Sequence, residues 1–339
     1  RDVAEEPAAP KPEAKNEPIT VAAEAPFATP RAESEAAPAP MAKARRDVEG
    51  GVEGRVAGGI VGGVIGDVVP SAHAADFVQA QAPHNELFGI SVDAGAFAHV
   101  KDAIERGERP RAVNVEALIN YFAGPPEHRS PREVGLEVEA SPAPVTAGPR
   151  AFIIRTTIDT AHQDIPPGAS PLPVATDARL EIELDGNAVL SHRRAGSGDE
   201  LSGVESTLLK NASVTALYEV ELKANLPWRQ PIATVRLHYR SIANGKEKTI
   251  TRIVHASDVA RPWAEASRRH RLASLGAVWG ETLKNAPGAL REATKESDVA
   301  RRAEELANQE PKDAKARELA MLATASSRLQ SSAPTGSGR

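Results

Sequence analysis

The chain predicts an α+β fold: an antiparallel β-sandwich with two N-terminal helices and a C-terminal helical unit, preceded by a long disordered spacer. Three observations predict it. Apolar and polar residues alternate with the period of a strand in six segments between residues 134 and 254. Helical spacing of apolar residues occurs only before and after that block. The first 47 residues are dominated by Ala, Pro and Glu and carry few bulky apolar side chains beside Phe27.

The spacer is expected over residues 1–84. Ordering a backbone costs roughly 1–2 kcal/mol per residue, and residues 1–47 have too little apolar surface to offset it. They read as an extended, partly polyproline-like segment. Behind them Gly50, Gly54, Gly58, Gly62 and Gly66 recur every fourth position, with Val52, Val56, Ile60, Val64 and Val68 in step. Such a repeat can form a helix-packing face in a membrane. Glu53, Arg55 and Asp67 break the apolar run, however, and each glycine disfavours a helix by about 1 kcal/mol. A flexible or extended linker is the expectation.

Folded structure is expected from Asn85. Asp93-Ala-Gly caps a predicted helix over 94–107, with Phe97, Val100 and Ile104 on one face and Gly107 at its end. Asn114 caps a second, in which Val115, Leu118, Ile119 and Phe122 are spaced to be buried and Gly124-Pro-Pro126 stops the helix. Val134, Leu136 and Val138 alternate with polar positions, and Phe152 to Ile158 is rich in β-branched residues, so both read as strands. A proline-rich connector is expected over 159–177, with Ile165-Pro-Pro-Gly-Ala-Ser-Pro-Leu-Pro173 in its middle. Over 178–257 come strands at Leu180–Leu184, Val214–Leu222, Ile232–Tyr239 and Lys248–Val254. Asn244-Gly245 predicts a type I′ hairpin between the last two. The helical unit spans 258–330: Leu272, Leu275, Trp279 and Leu283 share one helical face, Val299, Ala303 and Leu306 a second, and Leu319, Leu322, Ala325 and Leu329 a third. Residues 331–339 form a Ser/Gly-rich tail.

Composition excludes several function classes. A net charge of −5 and a pI near 6.1 argue against a nucleic-acid partner. The densest basic run, Arg268-Arg-His-Arg271, is expected to be a solvated helix face. With no cysteine there is no disulfide, thiolate metal site or cysteine nucleophile. No stretch approaches the roughly 20 apolar residues of a membrane span. The sequence starts at Arg1 without an initiator Met, which is compatible with a signal peptide or membrane tether upstream.

Two segments resemble a known family. Residues 85–158, from Asn85-Glu-Leu-Phe-Gly-Ile-Ser-Val-Asp93 through Val115-Glu-Ala-Leu-Ile-Asn-Tyr-Phe122, resemble the N-terminal flank of bacterial von Willebrand factor A (VWA) proteins of the YfbK-like kind. Residues 178–329, with Val214-Thr-Ala-Leu-Tyr-Glu-Val220 and Ala233-Thr-Val-Arg-Leu-His-Tyr239, resemble their C-terminal region. In that family a metal-binding VWA domain lies between the two, holding its ion through Asp-x-Ser-x-Ser. No Asp-x-Ser-x-Ser occurs in this chain, and 159–177 cannot supply the ~100–150 residues of a doubly wound domain. The resemblance therefore implies a sandwich whose inserted domain is missing, with strands from 133–158 and 178–255 in one continuous core. No metal site and no cofactor is expected.

Catalytic motifs are equally absent: no His-Glu-x-x-His, Gly-x-Ser-x-Gly, Gly-Lys-Ser/Thr loop or Gly-x-Gly-x-x-Gly occurs. Gly196-Ser-Gly198-Asp-Glu200 reads as a turn, Asp185 as a strand end, and the nine histidines as scattered. Asn211-Ala-Ser213 forms a glycosylation sequon that carries little weight in a bacterial-type chain. Trp228, after Leu226-Pro227, and Trp263, after Pro262, are the candidate interaction residues. The duller reading has them close the ends of the sandwich core.

The functional expectation is a non-enzymatic cell-envelope protein, periplasmic or membrane-tethered, that acts as a scaffold for a protein partner. It binds no nucleic acid and no small-molecule cofactor. Two alternatives stand beside it. The Gly-Val repeat behind a proline-rich spacer resembles tracts of TonB-like energy-coupling proteins, and a metal-dependent binder or enzyme could be assembled only in the fold.

Overall fold

The computed structural model describes residues 78–79, 84–88, 95–126, 132–145, 150–166, 168–196, 206–284 and 294–332. All of them belong to one compact unit, Val56–Arg339. Most of the expected spacer, including the glycine repeat, lies outside the described residues, as do Asp93 and the tail from residue 333.

Ten strands are described: β1 Val78–Gln79, β2 His84–Phe88, β3 Val134–Pro142, β4 Ala151–Thr160, β5 Pro173–Leu184, β6 Val189–Arg194, β7 Ser206–Leu209, β8 Ser213–Leu222, β9 Pro231–Ser241 and β10 Glu247–His255. They form two antiparallel sheets. One has the order β1-β6-β8-β4-β3; the other has the order β10-β9-β5-β2, with β7 also on β5. β4 pairs with β8 from Ala151↔Glu221 to Asp159↔Ser213, so strands on both sides of the connector share one sheet, as expected.

Alternation decides what each face meets. Ile154, Ile158, Tyr218 and Val220 point to the second sheet and are buried with Leu180, Ile182, Leu184, Val235 and Leu237. Their neighbours Ile153 and Leu217 face the opposite way, into a second core formed with the helices. A one-residue step thus moves a side chain from one core to the other. The first sheet is covered on both faces. On the second, the side away from the sandwich carries cross-strand ion pairs, Arg236 with Glu183 at 2.8 Å and Arg240 with Asp177 at 3.0 Å.

Five helices are described: α1 Ala96–Glu105, α2 Val115–Ala123, α3 Arg268–Lys284, α4 Glu296–Gln309 and α5 Ala314–Ser332. α2 starts as expected, with the Ala117 amide donating to Asn114 Oδ1 at 3.0 Å. The N-cap of α1 is Gly95, without a side-chain cap bond, so the helix starts at Ala96, two residues later than predicted; it ends at Glu105, two residues before the Gly107 predicted to stop it. There the amides of Gly107 and Glu108 donate to Ile104 O and Ala103 O, with Gly107 at φ 76°. α3 lies at the centre of the layer: each residue from Arg269 to Leu283 is buried. Gly276 and Gly280 let α2 approach closely, since an added Cβ would lie 2.8 Å from the Phe122 ring and 2.7 Å from Leu118.

Several expectations need correction. β2, β6 and β7 went unpredicted, β1 falls inside the expected spacer and β2 begins at its last residue, because these short strands carry weak alternation of their own. β4 runs to Thr160 and β5 starts at Pro173, so the connector narrows from 159–177 to 161–172. The β9–β10 hairpin exists, but Gly245 alone has positive φ and its amide donates to Ser241 O at 2.8 Å. That is a longer turn than type I′, which needs positive φ at two successive residues.

Candidate functional site

The most concentrated set of polar side chains lies between the first sheet and α3. On β4, Arg155, Thr157 and Asp159 alternate with the sandwich-facing Ile154 and Ile158, which aims them at the helices. Arg155 is fully buried. It donates to Glu139 at 2.9 Å, to Thr157 at 2.6 Å and to Glu137. Thr157 in turn shares a 3.0 Å hydrogen bond with Thr215 of β8.

The run Arg268–Arg271 meets this layer, and the expected solvated face is wrong. Arg269, His270 and Arg271 are buried, and each of the four residues fastens α3 to a different element. Arg268 pairs with Asp313, just before α5, at 2.8 Å. Arg269 donates to both oxygens of Asp159 at 2.7 and 2.9 Å, to Gly124 O at 2.8 Å and to the Ser213 hydroxyl. His270 Nε2 lies 2.8 Å from Ser141 Oγ on β3. Arg271 donates to Glu310 at 2.7 Å and Gln309 at 3.2 Å, at the end of α4. A helix surrounded on all sides has no solvated face, so its charges must be paired inside.

Ser141 and His270 have the spacing of a nucleophile and its base, yet the arrangement lacks what that chemistry requires. Both residues are 0% exposed, and His270 Nδ1 has no hydrogen-bond partner where an orienting acid belongs. Burial pushes the imidazole down to about 4; Glu139 opposes this and Arg155 reinforces it. The neutral ring secures α3 to β3.

The second feature is the mouth of the connector between β4 and β5. The amide of Asn211 donates to Ala161 O at 3.1 Å, and the amide of its neighbour Lys210 donates to Leu172 O at 2.8 Å. Asn211 also takes the Gln163 amide on its Oδ1 at 2.7 Å and returns a bond to Gln163 O at 2.8 Å. The chain therefore leaves and re-enters the sandwich beside one turn, between β7 and β8. This explains Asn211 without glycosylation, as its side-chain amide is engaged in the turn.

The two candidate tryptophans part company. Trp228 is 66% exposed in the β8–β9 turn, with its carbonyl accepting from the Ser257 amide at 2.9 Å. Trp263 is buried among the helices, donates from Nε1 to Ser274 Oγ at 2.9 Å and lies 5.4 Å below the Arg302 guanidinium. It is neither a surface anchor nor part of the sandwich core, because the turn after Pro262 directs it inward beneath α4. Asp185 ends β5 as expected, accepting from the Asn187 amide and the Gln230 side chain, both at 2.8 Å. Gly196 closes β6, and Ser197 to Glu200 lie outside the described residues. Among the described residues no group of three or more His, Asp or Glu is placed to hold a metal ion. None of the described helices is long and apolar enough to cross a membrane.

A family profile described as von Willebrand factor (vWF_A) matches residues 70–150. Over that interval, about a quarter of the chain, the sequence is similar to that family. The interval takes in β1 to β3 with α1 and α2, and it overlaps 85–158, the segment whose sequence resembles an N-terminal VWA flank. No curated protein matches the chain.

Proposed function

We propose that this protein is a non-enzymatic, VWA-related scaffold of the bacterial cell envelope, of the YfbK-like kind. The connector 161–172 replaces the family's central metal-binding domain, and recognition of a protein partner falls to the surface of the sandwich and helices. One observation carries the reading: Ala161 and Leu172 are both hydrogen-bonded to the adjacent residues Lys210 and Asn211. An inserted domain needs such neighbouring exit and entry points, and its loss through a port of this kind leaves the surrounding strands paired. The exposed Trp228 is the candidate anchor for the partner, since tryptophan concentrates binding energy at interfaces.

Two experiments separate the parts of this reading. Inserting a small, stable domain with closely spaced termini between Pro166 and Ser170 should shift the melting temperature by no more than about 5 °C. Loss of the cooperative transition would remove the insertion port from the argument. For the scaffold role, full-length protein is used to capture partners from envelope extracts, alongside Trp228→Ala. A saturable partner whose recovery falls at least about tenfold with the variant supports it. Equal recovery with both proteins, or only non-saturable background, counts against Trp228 as the anchor.

A further inference from the structure

A second buried charge cluster lies at the opposite end of α3 from the Arg268–Arg271 run. Glu219 of β8, Arg193 of β6 and Glu281 of α3 are 4%, 2% and 3% exposed. Arg193 grips Glu219 with two bonds, Nε to Oε2 at 2.6 Å and Nη2 to Oε1 at 3.0 Å. Its Nη1 also faces Glu281 at 3.7 Å. Glu281 reaches the chain end of β6, accepting from the Gly196 amide at 3.2 Å, and Lys284 donates to Gly196 O at 3.2 Å. The last turn of α3 is therefore held to the end of β6 beside one guanidinium that two carboxylates share.

We propose that Glu219, Arg193 and Glu281 form a pH-sensitive latch between α3 and the sheet, tight below neutrality and loosened above it. One guanidinium can compensate one carboxylate in a dry interface, and a second negative charge beside it is left without an equal partner. Among the described residues the surroundings supply little relief. Across from Glu219 on β4 is the apolar Ile153, and Arg155 is committed to Glu137 and Glu139. On β6, Arg194 pairs with Glu116 of α2 at 3.0 Å. Glu221, two residues along β8, accepts from Ser191 at 3.2 Å, and Lys284 is bound to the Gly196 carbonyl. Burial pushes the Glu219 carboxyl up to about 7; Arg193 opposes the shift and Glu281 adds to it. Near neutrality the latch thus exchanges one proton, and the second charge acts on Gly196 and the end of α3. This device is independent of the scaffold reading.

Amide hydrogen exchange tests it, with rates corrected for intrinsic base catalysis, at about pH 6 and about pH 8.5. In the full-length protein, protection at Arg193–Gly196 and Glu281–Lys284 should fall at least about tenfold at the higher pH, while β9 stays constant. Glu219→Gln should abolish that difference. Carbon-detected titration of the Glu219 carboxyl provides a second measurement should that variant not fold. Its midpoint should lie near 7 and move down in Glu281→Gln, where the competing charge is gone. A midpoint in the ordinary carboxylate range, or pH-dependent protection that persists in Glu219→Gln, overturns the latch.

Discussion

Replacing Arg269 with methionine probes the join between α3 and the sandwich. The side chain is 6% exposed and its partner Asp159 is 7% exposed, with two hydrogen bonds of 2.7 and 2.9 Å between them. Arg269→Met keeps much of the apolar stem but leaves the Asp159 carboxylate buried without its cation. Breaking a buried pair in this way costs about 3–5 kcal/mol. Loss of the donor to Gly124 O adds about 1 kcal/mol. A solvated-face position would instead cost less than about 0.5 kcal/mol. In the double variant Arg269→Met/Asp159→Leu both charges leave together, so most of the penalty should disappear and the coupling should reach at least about 2 kcal/mol. Urea denaturation followed by tryptophan fluorescence measures this, since Trp263 and Trp279 are both buried in the helical core. A single variant costing under about 1 kcal/mol, or a double variant costing the sum of the two singles, would refute the reasoning.

Three further outcomes are expected. Gly276→Val should destabilise by about 1–3 kcal/mol in the same assay, because even its Cβ lies 2.8 Å from the Phe122 ring and α2 must shift; a neutral result would show that α2 gives way freely. Glu219, with its pKa raised to about 7, binds more protons folded than unfolded, so its contribution to stability is lost as pH rises from about 4.5 to about 7; His270, pushed down to about 4, acts in the opposite sense below about 6.5, so the Glu219 part is read as the difference between the native protein and Glu219→Gln. The contribution is on the order of 3 kcal/mol at most and should be missing in Glu219→Gln, as denaturation midpoints across this range would show. Adding magnesium or a chelator should leave the melting temperature within about 1 °C; a saturable rise with magnesium would reveal an ion site and overturn the proposal that the family's metal chemistry is lost.

Much of the architecture was legible locally. Asn114, Gly107 and the alternation in 134–138 and 214–222 act through contacts a few residues apart, so the sequence pattern reports them directly. The failures share a cause. Arg268–Arg271 looked solvated because helical position alone does not say how many neighbours surround the helix, and α3 has them on every side. Trp263 and Trp228 each follow a proline, yet one is buried under α4 and the other projects from a turn. Arg193, Glu219 and Glu281 were overlooked because they come from three separate elements. The available signal was a charged residue set among apolar ones in a strand, such as Glu219 between Tyr218 and Val220. That pattern ordinarily marks a solvated sheet face.

The sequence by itself determined the α+β class, the placement of α1 and α2, the principal strands, the absence of Asp-x-Ser-x-Ser and the interruption between β4 and β5. These follow from short-range periodicity, turn residues and motif content. Only the tertiary structure decided that the first sheet is covered on both faces, that its second face carries charge, and that both ends of the connector meet at Lys210 and Asn211. Pairing between distant strands and stacking of α3 on them set those facts, and the burial of a charge depends on what packs over it from elsewhere in the chain.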